Sequence, residues 1–546
     1  MTANPSWWQS AIVYQIYPWS FQDSNGDGIG DIPGIISRLD YLNDGTLNSL
    51  GIDTIWLSPI YPSPMEDFGY DVADYCNVDP RFGTLDDFDR LIHEARRRGI
   101  KIIMDLVLNH TSDQHPWFQH ARASRSAPER AWYYWADGKG FGRRPSNWNA
   151  RFGGSSWTWD ASSRQYYLHS FLPGQPDLNW SNQDLQAKMF DVVRFWLNRG
   201  VQGFRLDAIN WLGKDVRWPD NPVRFGWRGY TRQIHRYDRD QPLAHEVMRK
   251  LRSVVSSYRD VVLIGEASAD TVGGPAAFYG NGSDELHTVF DFRLLKSLWR
   301  ADRFRDVISA AERAVPSGGW PSIVLSNHDQ SRHIDRYGNG GNAGQRARAA
   351  AVLLFALRGT PFLYYGEEIG MRNGRLRYRD LRDPYTKRFW PFRIGRDPAR
   401  TPMQWDGSPL SGFTTGQPWL PVSGDALTVN VEEESKNPLS ILSLYRHLIR
   451  LRKETPALRQ GAYTALESSN RHCLAFVRTG EGSAASGRDI LVAVNFDSHA
   501  SNCSLAGPER TGRLRLSTQL PIVDRQPWSS NRFVLQPDEA IIVSLA

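Results

Sequence analysis

The sequence predicts an α/β protein built on a closed (β/α)8 TIM barrel. Eight short apolar runs alternate with segments of helical periodicity, a pattern typical of parallel sheets covered by helices. Several of these runs are followed directly by ionisable residues, and that end of a barrel strand is where chemistry is built. The 546 residues exceed the ~250 typical of one barrel, so an inserted subdomain and a second domain are also expected.

The period of the apolar residues locates each element of this barrel. Strands are expected at 11–16, 53–57, 101–106, 203–206, 261–264, 288–290, 322–325 and 362–365. Helices are expected, among other places, at 85–98, 185–199, 243–258, 344–357 and 439–452. Eight alternating strands favour a closed barrel over an open sheet.

Three segments depart from the barrel pattern. Residues 111–182 are rich in Trp, Tyr, Gly, Asn and Ser without helical period, and so long a connection must be a subdomain or a functional cover. A polar, Pro-rich insertion spans 369–438, and short alternating strands such as 473–477, 490–495 and 539–545 indicate a C-terminal antiparallel β domain. The predicted division is barrel 1–110 and 183–457, inserted subdomain B 111–182, and β domain 458–546.

The composition argues against several classes of protein. A net charge of +6 without a block of basic residues disfavours nucleic acid as a partner. Three cysteines without a CxxC spacing imply neither a disulfide framework nor a zinc site. The N-terminal residues do not read as a targeting segment, and no apolar run reaches transmembrane length. We therefore expect a cytoplasmic protein without a membrane partner, either a monomer or a homodimer.

Two carboxylates at the ends of successive strands are the strongest chemical signal. Asp207 ends Gly203-Phe-Arg-Leu-Asp, and strand alternation places Arg205 on the same face, where it would hold Asp207 ionised. Glu266 follows an apolar run, and such a setting would let it keep a proton. This pair suits retaining glycoside cleavage, with one nucleophile and one proton donor. The alternative is a buried Arg–Asp ion pair without a chemical role.

The order of the surrounding motifs adds a family resemblance. The motifs are Gln15-Ile-Tyr-Pro, Asp105-Leu-Val-Leu-Asn-His110, Gln175-Pro-Asp-Leu-Asn179, Leu325-Ser-Asn-His328-Asp329, Gly359-Thr-Pro-Phe-Leu-Tyr-Tyr-Gly-Glu-Glu368 and Arg400-Thr-Pro-Met-Gln-Trp405. In this order they resemble glycoside hydrolase family 13, the α-amylase family, and within it the α-glucosidase and oligo-1,6-glucosidase branch. The resemblance implies that subdomain B forms one wall of the active site.

The resemblance also implies roles for individual residues. It makes Asp207 the nucleophile, Glu266 the acid/base and Asp329 the third carboxylate, which grips sugar hydroxyls more strongly in the transition state. The residues implied to bind substrate are Tyr70, Asp71, His110, Arg205, Ala208, His328 and Arg400. Among these, Asp71 and Arg400 are expected to clasp the non-reducing end, and the small Ala208 to favour α-1,4-linked substrates.

A short acidic loop near the N-terminus resembles the first part of a calcium loop. Oxygen ligands stand at alternate positions of this turn, namely Asp23, Asn25, Asp27, Ile29 and Asp31. The twelfth position is a glycine rather than a glutamate, so the loop is not an EF-hand. The resembling enzymes hold a structural Ca²⁺ or Mg²⁺ there, through these side chains and the carbonyl of residue 29. The alternative is a Gly/Asx turn without an ion, and no organic cofactor is expected.

These observations favour an exo-acting retaining α-glucosidase that acts on short α-glucosides through a covalent glucosyl-enzyme. An α-glucosyltransferase or an oligo-1,6-glucosidase needs the same residues and remains an alternative. A sucrose isomerase is disfavoured, because residues 289–295 read Val-Phe-Asp-Phe-Arg-Leu-Leu rather than containing the Arg-Leu-Asp-Arg-Asp motif. The non-catalytic heavy subunits of amino-acid transporters are the least favoured reading, since they have lost the catalytic residues.

Overall fold

The computed structural model describes residues 6–226, 229–268, 270, 273–282, 284–338, 340–391, 395–480, 489–519 and 526–546. Eight strands form one parallel sheet, in agreement with the predicted barrel. They are β1 (Val13–Ile16), β2 (Thr54–Leu57), β3 (Lys101–Val107), β4 (Gly203–Asp207), β5 (Val262–Glu266), β6 (Thr288–Phe290), β7 (Ser322–Val324) and β8 (Thr360–Tyr364).

The strands follow one another around the barrel in the order β7-β8-β1-β2-β3-β4-β5-β6. Each pair of neighbours in this order is parallel. The two end strands, β6 and β7, also meet, because the Ser322 hydroxyl donates a hydrogen bond to the Val289 carbonyl oxygen at 2.9 Å. This contact brings the two edges of the sheet together.

Helices connect the strands and cover the outside of the barrel. The α-helices are Trp7–Ser10, Pro18–Phe21, Ile32–Ser37, Leu39–Leu42, Leu85–Arg97, Pro116–Ala123, Gln183–Asn198, Pro242–Val255, Ala301–Ala314, His333–Tyr337, Ala343–Ala356, Pro384–Phe389, Val431–Lys436, Ile441–Glu454 and Pro456–Gln460. The five helices expected from periodicity all occur, within three residues of the expected ends. Of the helices that the structure describes, none has the length and apolar character needed to cross a bilayer.

Strand alternation explains why polar groups gather at one end of the barrel. Apolar side chains such as Trp56, Ile103 and Ile264 pack together inside the barrel. Because alternate residues of a strand point to the same face, Asp105 and Glu266 follow two residues later on the inward face. The carboxyl ends of the parallel strands therefore direct these carboxylates into one cleft.

Two further sheets lie outside the barrel. The insertion carries a three-stranded sheet of Trp135–Ala136, Trp157–Asp160 and Gln165–Leu168, and the C-terminal sheet contains Ala462–Leu466, Cys473–Thr479, Ile490–Asn495, Thr511–Ser517, Gln526–Ser529 and Ala540–Leu545. A separate pair joins Ser501–Cys503 to Phe533–Leu535. The insertion also contains helix Pro116–Ala123, which its sequence did not suggest; its first turn is capped by His115, whose Nδ1 accepts from the Trp117 amide. The exact domain boundaries stay predictions.

Candidate active site

One buried guanidinium stands at the centre of the cleft. Arg205, whose side chain is 1% exposed, lies on β4 two residues before Asp207. Its Nη1 is 2.5 Å from Oδ1 of Asp105 and 2.8 Å from Oδ1 of Asp207, and its Nη2 contacts Glu266. The structure thus brings together the two carboxylates that were predicted to react.

Opposing effects act on the pKa of Asp207. Burial raises its pKa to about 6, and the positive charge of Arg205 only partly opposes this effect. The nearby Asp105 carboxylate raises the pKa further. Arg205 therefore favours the ionised form of Asp207, whereas burial and Asp105 favour the neutral form.

Glu266 differs from the expectation. The sequence placed it in an apolar setting, but its carboxylate lies against the Arg205 guanidinium and its side chain is 22% exposed. The last residue of β5 thus faces both a cation and the solvent side of the cleft. Its position is compatible with proton exchange between a leaving group and water.

A chain of hydrogen bonds orients Tyr70 and His328. The Tyr70 hydroxyl donates to Oδ2 of Asp105 at 3.0 Å and lies 2.7 Å from Nε2 of His328. The other ring nitrogen of His328 accepts from the Gln15 side chain at 2.7 Å. The Tyr70 and His328 rings are parallel within 6°, with centroids 5.4 Å apart. Burial lowers the pKa of His328 to about 3, so this ring is neutral at physiological pH.

Asp329 lies between two arginines. Nη2 of Arg400 is 2.9 Å from its Oδ1, and Nη1 of Arg396 is 3.4 Å from the same oxygen. Burial alone raises the pKa of Asp329, but His328, Arg396 and Arg400 outweigh burial and lower this pKa well below its usual value. Asp329 is therefore an anion throughout the physiological range.

Asp71 and Arg400, to which the resemblance assigns the clasp of the non-reducing end, have separate partners in the structure. Asp71 accepts hydrogen bonds from the backbone amides of residues 66 and 67, at 2.8 Å and 3.1 Å, whereas Arg400 binds Asp329 and the carbonyl oxygen of His328. The ion pair across this part of the cleft is formed by Arg396 and Asp67, at 2.6 Å. Asp67 lies in the connection after β2, away from the strand end and in a segment without a period, so the sequence analysis gave it no role.

His110 joins the barrel to subdomain B. Its Nε2 lies 3.1 Å from the Gln175 side-chain nitrogen and 3.1 Å from the Tyr70 carbonyl oxygen. Its ring is 5.2 Å from that of Phe171, between the ring centroids. Burial lowers the pKa of His110. The predicted wall from subdomain B is thus in contact with a predicted sugar-binding residue.

A buried ion pair that the sequence analysis did not predict also links subdomain B to the barrel. The Lys214 ammonium is 3.0 Å from Oδ2 of Asp177 and also donates to the Ser170 hydroxyl and the Trp211 carbonyl oxygen. Asp177 accepts from the Asn109 side chain at 2.9 Å. The Gln175-Pro-Asp-Leu-Asn179 motif contains Asp177, but nothing in the sequence indicated a partner on the loop that follows β4.

Ala208 directly follows the candidate nucleophile and has a left-handed backbone conformation, with φ 47° and ψ 42°. Non-glycine residues seldom adopt this conformation, and β-branched residues adopt it with strain. Ala208 thus forms the turn at which the chain leaves β4, and a larger β-branched side chain would be strained there.

The acidic N-terminal loop is held by its own backbone. Oδ1 of Asp23 accepts from the amides of residues 25 and 26, and its Oδ2 accepts from the amide of residue 28 and from the Thr414 hydroxyl. Oδ1 of Asp27 accepts from the Ile29 amide, and Oδ2 of Asp31 accepts from the amide and hydroxyl of Ser24. Among the described residues, no group of three or more His, Cys, Asp or Glu side chains is arranged so that it could hold a metal ion. The carboxylates of this loop are thus oriented by backbone amides, and the ion stays a prediction.

Comparisons with known proteins agree with this architecture. The family model described as "Alpha amylase, catalytic domain" matches residues 15–461. A probable alpha-glucosidase from Rhizobium meliloti (strain 1021) is 43% identical over 486 residues, covering 87% of each chain. An oligo-1,6-glucosidase from Bacillus cereus is 37% identical over 569 residues, covering 99% of each chain. The crystal structure of the alpha-glucosyl transfer enzyme XgtA has a TM-score of 0.91 and 39% identity over the full length of both chains.

A parallel barrel with carboxylates at the ends of β4 and β5 defines the class of protein, a glycoside hydrolase. The chain belongs to the α-amylase family, glycoside hydrolase family 13, in its α-glucosidase and oligo-1,6-glucosidase branch.

Proposed function

We propose that this enzyme is an exo-acting retaining α-glucosidase that releases α-glucose from short α-glucosides. The contact of Asp207 and Glu266 with one guanidinium carries the proposal. Carboxylates that contact the two Nη atoms of one guanidinium support the short separation of retaining enzymes, which is about 5–5.5 Å. An inverting enzyme needs a wider separation, because a water molecule must fit between carboxylate and sugar.

The proposed chemistry assigns one step to each carboxylate. Asp207 attacks the anomeric carbon while Glu266 protonates the departing oxygen, which yields a covalent glucosyl-enzyme. Glu266, now ionised, takes a proton from water as the water attacks the same carbon and releases Asp207. Asp329 stays anionic and holds sugar hydroxyls, and this grip strengthens as the ring flattens.

The Asp67–Arg396 pair supports exo action. These two residues come from the connections that follow β2 and β8, and their 2.6 Å contact crosses one side of the cleft. The pair would close the pocket beyond one glucose unit, which replaces the clasp first assigned to Asp71 and Arg400. A longer chain entering there would leave these charges partly unpaired.

Maltose is the proposed preferred substrate, with sucrose as a further candidate, and other sugars or alcohols can replace water as acceptors. One solved structure similar to this chain is named an alpha-glucosyl transfer enzyme, which supports a transfer capacity. That similarity also keeps an α-glucosyltransferase as the second candidate function. A cytoplasmic location completes the proposal, supported by the absence of a disulfide among Cys76, Cys473 and Cys503.

Product analysis tests these proposals together. Purified enzyme is incubated with maltose, sucrose, isomaltose and trehalose, and products are followed by chromatography and by NMR of the anomeric protons. Initial release of α-glucose is expected, because two inversions retain configuration. Early β-glucose would refute the retaining mechanism, and oligosaccharide products without free glucose would favour the transferase.

A further inference from the structure

Asp383 is a buried carboxylate that the proposed chemistry does not use. It lies in the insertion after β8, at the N-terminus of helix Pro384–Phe389, and is 0% exposed. Its Oδ1 accepts from Nη2 of Arg396 at 2.7 Å and from the Tyr385 amide at 3.2 Å. Its Oδ2 accepts from the Thr386 hydroxyl at 2.7 Å and from the Arg396 amide at 3.3 Å. Asp383 therefore binds both the helix start and Arg396.

Arg396 makes contacts on three sides. Besides Asp383, its guanidinium reaches Oδ1 of Asp67 at 2.6 Å and Oδ1 of Asp329 at 3.4 Å, and the side chain is 11% exposed. Burial by itself raises the pKa of Asp383, but Arg396, together with Arg400 and the Thr386 hydroxyl, outweighs burial and lowers that pKa to about 2. Asp383 is thus a permanent anion behind the guanidinium.

The three contacts compete for one side chain. Arginine is long and binds carboxylates best through two parallel hydrogen bonds. Without an anion behind it, Arg396 would be free to turn toward Asp329, whose other strong contact is Arg400. An ion pair with two parallel hydrogen bonds from Arg396 would occupy both carboxylate oxygens of Asp329, which are needed to bind the sugar hydroxyls.

We propose that Asp383 is a positioning residue that holds the Arg396 guanidinium between Asp67 and Asp329, so that the closed end of the glucose pocket keeps its shape. This inference rests on the proposed function, because it assumes that the pocket binds a glucose unit. Asp383 itself touches no substrate and acts through Arg396. The insertion after β8 thereby contributes to sugar recognition from behind the cleft.

The chain offers a substitution that separates this role from helix capping. Asparagine caps helices about as well as aspartate, so Asp383→Asn keeps the cap and removes the charge. Asp380→Asn is the matched control: it removes one charge from the same segment, and Asp380 forms its ion pairs with Arg377 and Arg379 rather than with Arg396. Melting temperatures of both variants report any structural damage.

The test compares kinetics on maltose with calorimetric binding of glucose. Asp383→Asn is expected to raise KM and to lower kcat/KM by about 10- to 100-fold, since a misplacement of ~1 Å can cost 10²-fold. Glucose affinity should fall by about tenfold, with an unchanged melting temperature and an unchanged acid limb of the pH profile. Asp380→Asn should match the wild type in each measurement. An Asp383→Asn variant with wild-type glucose affinity and KM would overturn the proposal.

A double-mutant cycle decides whether Asp383 acts through Arg396. In an Arg396→Gln background, Asp383→Asn should cost little further glucose affinity, because coupled residues are non-additive. The same loss in both backgrounds would overturn the proposal. Asp383→Glu keeps the charge and should therefore bind glucose more tightly than Asp383→Asn. If a folded Asp383→Glu variant binds glucose no better than Asp383→Asn, the charge of Asp383 does not position Arg396. If the wild-type enzyme binds glucose but does not cleave maltose, the proposed function is wrong, whereas the role of Asp383 in glucose binding can still be measured.

Discussion

Nη1 of Arg205 lies 2.8 Å from Oδ1 of Asp207, and its Nη2 contacts Glu266. One guanidinium therefore contacts both candidate catalytic carboxylates. The predicted roles of the two carboxylates can nevertheless be separated by the choice of substrate.

Asp207→Asn is expected to abolish turnover, whereas Glu266→Gln should accumulate a glucosyl-enzyme from an activated aryl glucoside. Positioned proton transfer contributes roughly 10²- to 10⁴-fold, so the Glu266 variant should lose that much on maltose and far less on substrates with good leaving groups. Steady-state kinetics on both substrates and intact-protein mass spectrometry provide the measurement. Equal losses on the two substrates would contradict the acid assignment.

The pH dependence should report the raised pKa of Asp207. A nucleophile must be ionised, so kcat/KM is expected to fall on the acid side with a midpoint near the pKa of about 6. Asp105→Asn removes a negative charge that raises this pKa, so the acid limb should move to lower pH. Asp71 also has a pKa raised by burial to about 6, so Asp71→Asn is the control that should leave the limb in place. A limb that moves only with Asp71 would reassign the titrating group.

Exo action should depend on the Asp67–Arg396 pair. We expect amylose to be a poor substrate, with glucose released before any fall in viscosity. Asp67→Asn should weaken discrimination against longer chains, because the guanidinium then lacks a charged partner across the cleft. Viscometry together with a reducing-sugar assay measures both effects. A rapid viscosity drop in the wild type would exclude a closed pocket.

An ion in the loop 23–31 is expected to support stability and not chemistry. A ligand bound only by the folded state stabilises it by about 2.7 kcal/mol at 100 times its Kd. Chelation should therefore lower the melting temperature while leaving activity intact at lower temperature, and Asp27→Asn should weaken the response. Loss of activity without a thermal shift would mean that the loop has another role.

Linkage preference should depend on Ala208. A change of one or two methylenes in a pocket is worth about 1–3 kcal/mol, so kcat/KM should favour maltose over isomaltose by tens-fold. Ala208→Val should shift this ratio toward isomaltose. Because the backbone at residue 208 has a left-handed conformation, valine will be strained there and the variant will be less stable. The ratio for one preparation is independent of the folded fraction, so it stays a valid measure. An unmoved ratio would refute the specificity role and leave the family assignment intact.

Several features of the site were predictable from sequence because they lie on regular elements. Asp207 and Glu266 end apolar strands, and the period of two residues places Arg205 beside Asp207. The contacts that tune these groups were not predictable. Arg205 contacts Glu266 on the next strand, so Glu266 lacks the apolar setting that its own strand suggested.

The sequence by itself determined the barrel, its strand positions and the location of the carboxylates, since periodicity and strand order are local properties of the chain. Only the tertiary structure decided which charges meet. Arg396 pairs with Asp67 across 329 positions of sequence, and both lie on connections without any period. The same holds for Asp383 behind Arg396 and for Lys214 with Asp177. Long-range ion pairs depend on how loops pack over the strand ends, and no local pattern encodes that packing.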